Sequence, residues 1–194
     1  AGRKFETKSS ECSICPAAKY QTSSTTASVQ CQTCPVGKLI LDQGFTANLH
    51  DELSDCIFCS VGKAFATSST ACTICAAAKY QNQNTIASVT CSECPSGRYL
   101  VDQGTSAVKH DAIIKCLFCT AGTSFATPTT TCTTCSNGKY QEQNTAASVV
   151  CKFCLQGFAF SSKSTVCTQC INGQYQDQNE AASVSCQTCS AGQY

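Results

Sequence analysis

Cysteine is the residue that could do chemistry here. Twenty of the 194 residues are cysteines, and each sits in one of ten Cys-x-x-Cys pairs. Two such pairs can hold zinc through four thiolates, one pair can cycle between dithiol and disulfide, and a large even set can staple a secreted chain. The step from the second cysteine of one pair to the first of the next takes three values only, in the order 16, 22, 13, 16, 22, 13, 16, 13, 16. Zinc would demand five separate dianionic four-cysteine sites, with few basic residues to offset them and with gaps of 12, 15 and 21 residues alternating while the other motifs stay the same. A redox pair needs a thiolate lowered by a helix N-terminus or a cation, and no segment has a sustained helical period. Stapling is favoured: a closed ring of roughly 15 residues adds about 3 kcal/mol through the entropy of the unfolded chain. No catalytic, cofactor-binding or metal-ligating residue is expected.

His50-Asp51 and His110-Asp111 stand at matched positions and are candidates for a metal site or catalytic dyad. No nucleophile or third partner accompanies them, so a turn or surface pair is the simpler reading. The recurring aromatics Phe5, Tyr20, Phe65, Tyr80, Tyr99, Phe125, Tyr140, Phe160 and Tyr175 fit either a sugar-stacking ladder or, more simply, covers over adjacent disulfides. Ser and Thr make up about a quarter of the chain. The runs Ser23, Ser24, Thr25, Thr26; Thr67, Ser68, Ser69, Thr70; and Thr129, Thr130, Thr131 are either ordinary turn polarity or sites of O-linked glycosylation. No Asn-x-Ser/Thr acceptor is present.

The elements that carry these residues repeat. Residues 12–71 align without a gap on 72–131 at about half identity, the mark of a duplicated unit. A shortened third unit, 132–166, omits the 22-step module, and a fourth starts at 167 and runs to 194. Within a module the second cysteine is followed by x-x-Gly-x-aromatic, as in Cys94-Pro95-Ser96-Gly97-Arg98-Tyr99, and the 16-step modules close on Ala-Ser-Val-x-Cys. The glycine supplies a positive-φ turn, and the period-2 alternation of Ala, Val and Cys reads as a strand. Ala18 and Ala78 replace that glycine in two modules, so their turns must accept a Cβ. Each module is therefore expected to be an irregular β-hairpin tied by sulfur.

Thirteen basic and twelve acidic residues leave a charge of +1, without the basic stripe that nucleic-acid binding requires. There is no apolar run of membrane-spanning length, and the N-terminus lacks a basic-then-apolar signal sequence, as expected if a signal was removed or if this is an internal piece. The absence of Trp and Met and the thin supply of large apolar side chains argue against one ordinary core.

Cys-x-x-Gly-x-Tyr, a short loop, then Cys-x-x-Cys resembles the ephrin-receptor-like cysteine-rich repeat, which is similar to the first disulfide module of tumour necrosis factor receptors and serves in receptors and in surface proteins of protists. The resemblance implies that the second cysteine of each pair bonds the first of the next: Cys15 with Cys31, Cys34 with Cys56, Cys59 with Cys72, Cys75 with Cys91, Cys94 with Cys116, Cys119 with Cys132, Cys135 with Cys151, Cys154 with Cys167, and Cys170 with Cys186. Cys12 and Cys189 then bond outside residues 1–194. Gly2 to Cys12 matches Gly62 to Cys72, and Cys189 opens another module, as expected of a piece of a continuing array. The rival scheme joins Cys12 with Cys31 and Cys15 with Cys34 in closed units and uses every cysteine internally.

The fold class expected is small and disulfide-rich: a linear, elongated array of hairpin modules with little core, each touching only its neighbours. The expected role is structural, in an extracellular or cell-surface filament, appendage or coat. Its partners would be copies of itself or the continuation of its own chain, together with O-linked glycans. The alternative is a ligand-binding receptor ectodomain. Sameness of the modules counts against it, because a recognition site usually breaks a repeat with an odd loop or apolar patch.

Overall fold

A computed structural model describes residues 1–192. Each Cys-x-x-Cys pair is followed by a tight turn. In the first, Pro16 O accepts the Lys19 N–H at 3.1 Å, and Ala18 between them sits at φ 63°. The chain leaves this turn as a two-residue strand and returns through the two residues enclosed by the next cysteine pair. Thus Lys19–Tyr20 pairs with Gln32–Thr33, the residues between Cys31 and Cys34. Seven such antiparallel ladders form, and three further hairpins close on single bridges, Leu39–Ile57, Tyr99–Leu117 and Tyr140–Lys152. The returning strand is lengthened by the second cysteine, whose N–H donates to the turn residue of the same hairpin, as from Cys34 to Ala18 O at 2.8 Å.

The described residues contain no α-helix. Four 3-10 turns lie in the two 22-step loops, at Ala47–Leu49, Leu53–Asp55, Ala107–Lys109 and Ile113–Lys115. Among the described residues no helix is long and apolar enough to cross a membrane.

Sulfur takes the place of an ordinary core. Nine of the seventeen buried apolar residues are cysteines, so burial is local to each ring. Tyr20 packs with Cys34, Cys56 and Ile40, and Leu39 packs with Cys59, Val89, Phe65 and Cys72. Between rings the join is mainly backbone. The glutamines after the module tyrosines, Gln21, Gln81, Gln141 and Gln176, are all buried. Gln21 O accepts from Gly2 N at 2.7 Å, and Gln21 N donates forward to His50 O at 2.8 Å. Gln81 repeats this with Gly62 and His110 at the same distances.

The chain divides into two units. The first comprises Ala1–Glu93 with Gln103–Lys115, the second Cys94–Asp102 with Cys116–Tyr194. Contacts inside each correct the expectation that modules touch only their neighbours. In the first unit Ser88 N donates to Gly37 O at 3.3 Å, and in the second Ser148 N donates to Gly97 O at the same distance. Each of these contacts skips one whole 13-step ring. The cause is the turn glycine: at φ +76° and without a side chain, Gly97 lets the Ala147-Ser148 backbone approach until a Cβ at Gly97 would overlap Ser148 N. Gly173 has a similar φ of +79° and nothing within reach of such a Cβ.

This difference separates backbone strain from packing. Gly173→Ala should lose only the roughly 1–2 kcal/mol of a left-handed non-glycine residue. Gly97→Ala should lose at least twice as much in thermal or denaturant unfolding of the oxidised protein. Equal losses would show that the next-but-one contact contributes nothing.

Candidate functional site

In an extended strand successive side chains point to opposite faces, so positions i and i+3 face opposite ways. The two cysteines of a pair flank the returning strand and are therefore aimed at different rings. The structure bonds Cys15 to Cys31, Cys34 to Cys56, Cys59 to Cys72, Cys75 to Cys91, Cys94 to Cys116, Cys119 to Cys132, Cys135 to Cys151, Cys154 to Cys167 and Cys170 to Cys186. The first cysteine of each pair closes the ring behind it, and the second opens the ring ahead. Most of the opening cysteines are buried, Cys15 and Cys154 completely. Cys12 is an exposed free thiol and Cys189 a half-buried one. Tyr194, the aromatic that follows Cys189 in the module pattern, lies outside the described residues.

The serine and threonine runs have a use that composition did not reveal. Thr67 and Thr70 hydroxyls hydrogen-bond at 2.7 Å, as do Thr127 and Thr130 at 2.7 Å and Ser162 and Thr165 at 2.8 Å. Each pair clips the turn of a 13-step ring, and Ser23 donates to Thr26 across a 16-step loop at 2.6 Å. Ser24, Thr25, Ser69, Thr129 and Thr131 are exposed beside these clips, while Ser68 is half-buried.

His50 is not a surface residue and does not act with Asp51. Its ring is completely buried. Nδ1–H donates to Lys19 O at 2.7 Å, and Nε2 faces Asp42 Oδ2 at 3.0 Å. Both nitrogens thus meet oxygen partners. The same Asp42 oxygen accepts from the backbone N–H groups of Gly44, Phe45 and Thr46 at 3.0, 2.8 and 3.1 Å. His110 is equally buried, with Nδ1–H on Lys79 O at 2.7 Å. The histidines fasten the long loops to the preceding ring. Among the described residues no group of three or more His, Cys, Asp or Glu is gathered as a metal site.

Residues 62–110 match the family model described as tyrosine-protein kinase ephrin type A/B receptor-like. Over these residues the chain is similar to the ephrin-receptor-like cysteine-rich repeat. The match spans most of a 13-step ring, one whole 16-step ring and most of a 22-step loop, and the same modules recur on either side of it. The family is a receptor-like cysteine-rich domain rather than an enzyme family. No curated protein matches the chain.

One feature of these repeats departs from uniformity. Eleven of the eighteen exposed large hydrophobic residues fall in the 22-step modules, within 34–57 and 94–117, so the apolar surface is concentrated there. In the first of these modules Leu39, Leu41, Leu49 and Ile57 line a cavity of about 310 Å³ together with Asp42, Ser54 and Asp55.

The Asp42 contacts set the acid response of the long loop. Burial pushes the Asp42 pKa up, but hydrogen bonds from Thr46, His50, Phe45 and Gly44 outweigh it and hold the group below its ordinary value. A depressed carboxylate contributes stability that is fully present above its unfolded pKa and lost as pH falls through the folded one. The thermal midpoint of the native protein should therefore exceed that of Asp42→Asn by a constant margin above about pH 5, and the margin should shrink below about pH 3.9. A margin that persists into strong acid would show that the charge on Asp42 is irrelevant.

Proposed function

We propose that this chain is a structural segment of an extracellular filament, appendage or surface coat. The observation that supports it best is the serial closure of every ring. Because each bridge bypasses its loop, the shortest covalent path runs through the Cys-x-x-Cys strands alone. That path is about 10 Å for three extended steps, plus 5.6–5.8 Å between the Cα atoms of each bridge. An unbridged sixteen-residue step would pay out roughly 55 Å. Load is therefore carried by sulfur and short strands whatever the loop length, and proteases find little free chain.

Cys12 and Cys189 extend the same path, bonding to cysteines outside residues 1–194, in a neighbouring copy or in further repeats. The exposed hydroxyls of Ser24, Thr25, Ser69, Thr129 and Thr131 carry O-linked sugar, where a bulky group meets no packing. The many disulfides support a location outside the cell or on its surface.

A second reading, the ligand-binding segment of a receptor ectodomain, is favoured by the apolar cavity of the first long module. Electron microscopy of native material separates the two. Long, regular filaments containing the chain are expected, whereas isolated molecules in stoichiometric complex with a foreign ligand would overturn the structural reading.

A further inference from the structure

The two long loops, 47–55 and 107–115, stand 60 residues apart at matched positions within the first unit. Three of their nine residues are identical: Ala47 and Ala107, His50 and His110, Asp51 and Asp111. The histidine fastens each loop to the preceding ring. The six remaining positions all differ, all are at least partly exposed, and the differences are not random. Glu52 and Asp55 become Ala112 and Lys115, Leu49 becomes Lys109, and Asn48 and Ser54 become Val108 and Ile114. The first loop thus carries three acids and no base outside its histidine. The second carries two lysines and one acid. The first loop contributes Leu49 and Asp55 to the lining of the apolar cavity. On the second, Val108 and Ile114 stand 66% and 75% exposed, with Ile113 at 44%. A duplicated loop that keeps its buried anchor while its outer face reverses charge and gains apolar bulk is complementary to its own counterpart.

We propose that loop 107–115 of one copy docks on the groove of residues 39–57 of a second copy, its isoleucines entering the apolar cavity and Lys115 facing Asp55. Lys115, with its side chain 42% exposed, is held in its own chain by a long ion pair with Asp111 at 3.7 Å, which a partner carboxylate at Asp55 would replace. One loop in one groove covers far less than the roughly 800 Å² per partner of a standard stable interface, so a single contact is weak. Two reciprocal contacts between a pair of copies reinforce each other. This lateral, non-covalent association goes beyond the end-to-end linkage proposed above and does not depend on it.

The test uses the full chain with Cys12→Ser and Cys189→Ser, so that end linkage contributes nothing, in sedimentation velocity over a wide concentration range at low and high salt. Reversible, salt-weakened self-association is expected. Asp55→Lys or Lys115→Asp alone should weaken it by about tenfold or more through like-charge juxtaposition. An equimolar mixture of the two variants should restore it, because each then offers the other a complementary groove and loop. Ile114→Ser, at a position too exposed to be needed for folding, should weaken it as well. A chain that stays monomeric at every concentration, an association indifferent to both charge changes, or a mixture no stronger than its components would overturn the proposal.

Discussion

Everything in this structure depends on one stereochemical constraint: a strand only two residues long, flanked by cysteines, cannot aim both sulfurs at the same ring. The extended backbone sends side chains i and i+3 to opposite faces, and the pairing of the two enclosed residues with the strand behind them, as Ser92–Glu93 pairs with Lys79–Tyr80, fixes which face is which. Cys91 therefore closes the ring begun at Cys75, and Cys94 begins the next at Cys116. Hairpins of this size bury too little to hold themselves in water. The bridge supplies what burial cannot, about 3 kcal/mol for a ring of this length in the chain-entropy view.

Because the covalent frame holds each ring, the contacts between rings are free to be polar and backbone-based. A buried glutamine binds both the previous turn and the next loop, and a turn glycine accepts the backbone of the ring beyond its neighbour. The cation–π contacts follow the same design. Lys38, Arg98 and Lys139, each next to a turn glycine, lie over Phe58, Phe118 and Phe153, each inside a Cys-x-x-Cys strand. Basic residue and aromatic thus shield the short ladder from the solvent side. Loop length becomes nearly independent of the scaffold, which leaves the 22-step loops able to carry distinct outer faces while the rings beneath them stay alike.

Much of this was legible in the sequence. The 16, 22 and 13 spacing and the Gly-x-aromatic turn are local signals, and local signals suffice for hairpins. Ala18 and Ala78 were read only as turns that must accept a Cβ, and both take the left-handed conformation of the glycines they replace. What was hidden depended on burial or on distance in the chain. Spacing left two cysteine pairings open, because strand direction is not written in a count. His50 looked like the partner of the adjacent Asp51, whereas its partner is Asp42, eight residues back across a loop whose backbone N–H groups converge on the same carboxylate. The contact from Ser88 to Gly37 skips a ring and leaves no periodic mark beyond a serine in Ala-Ser-Val. The groove at Leu41, Leu49 and Ile57 was masked because its residues lie apart in the chain and meet only in the folded long module.

The arrangement of sulfur is the point at which all of this stands or falls. Native protein digested in acid without reduction, where thiol exchange is slow, can be mapped by mass spectrometry with fragmentation between the paired cysteines. Serial rings require Cys15 linked to Cys31 and Cys34 linked to Cys56, with the later pairs following in register. Recovery of Cys12 linked to Cys31 and Cys15 linked to Cys34 would mean closed two-pair units, with no continuous covalent path from one ring to the next.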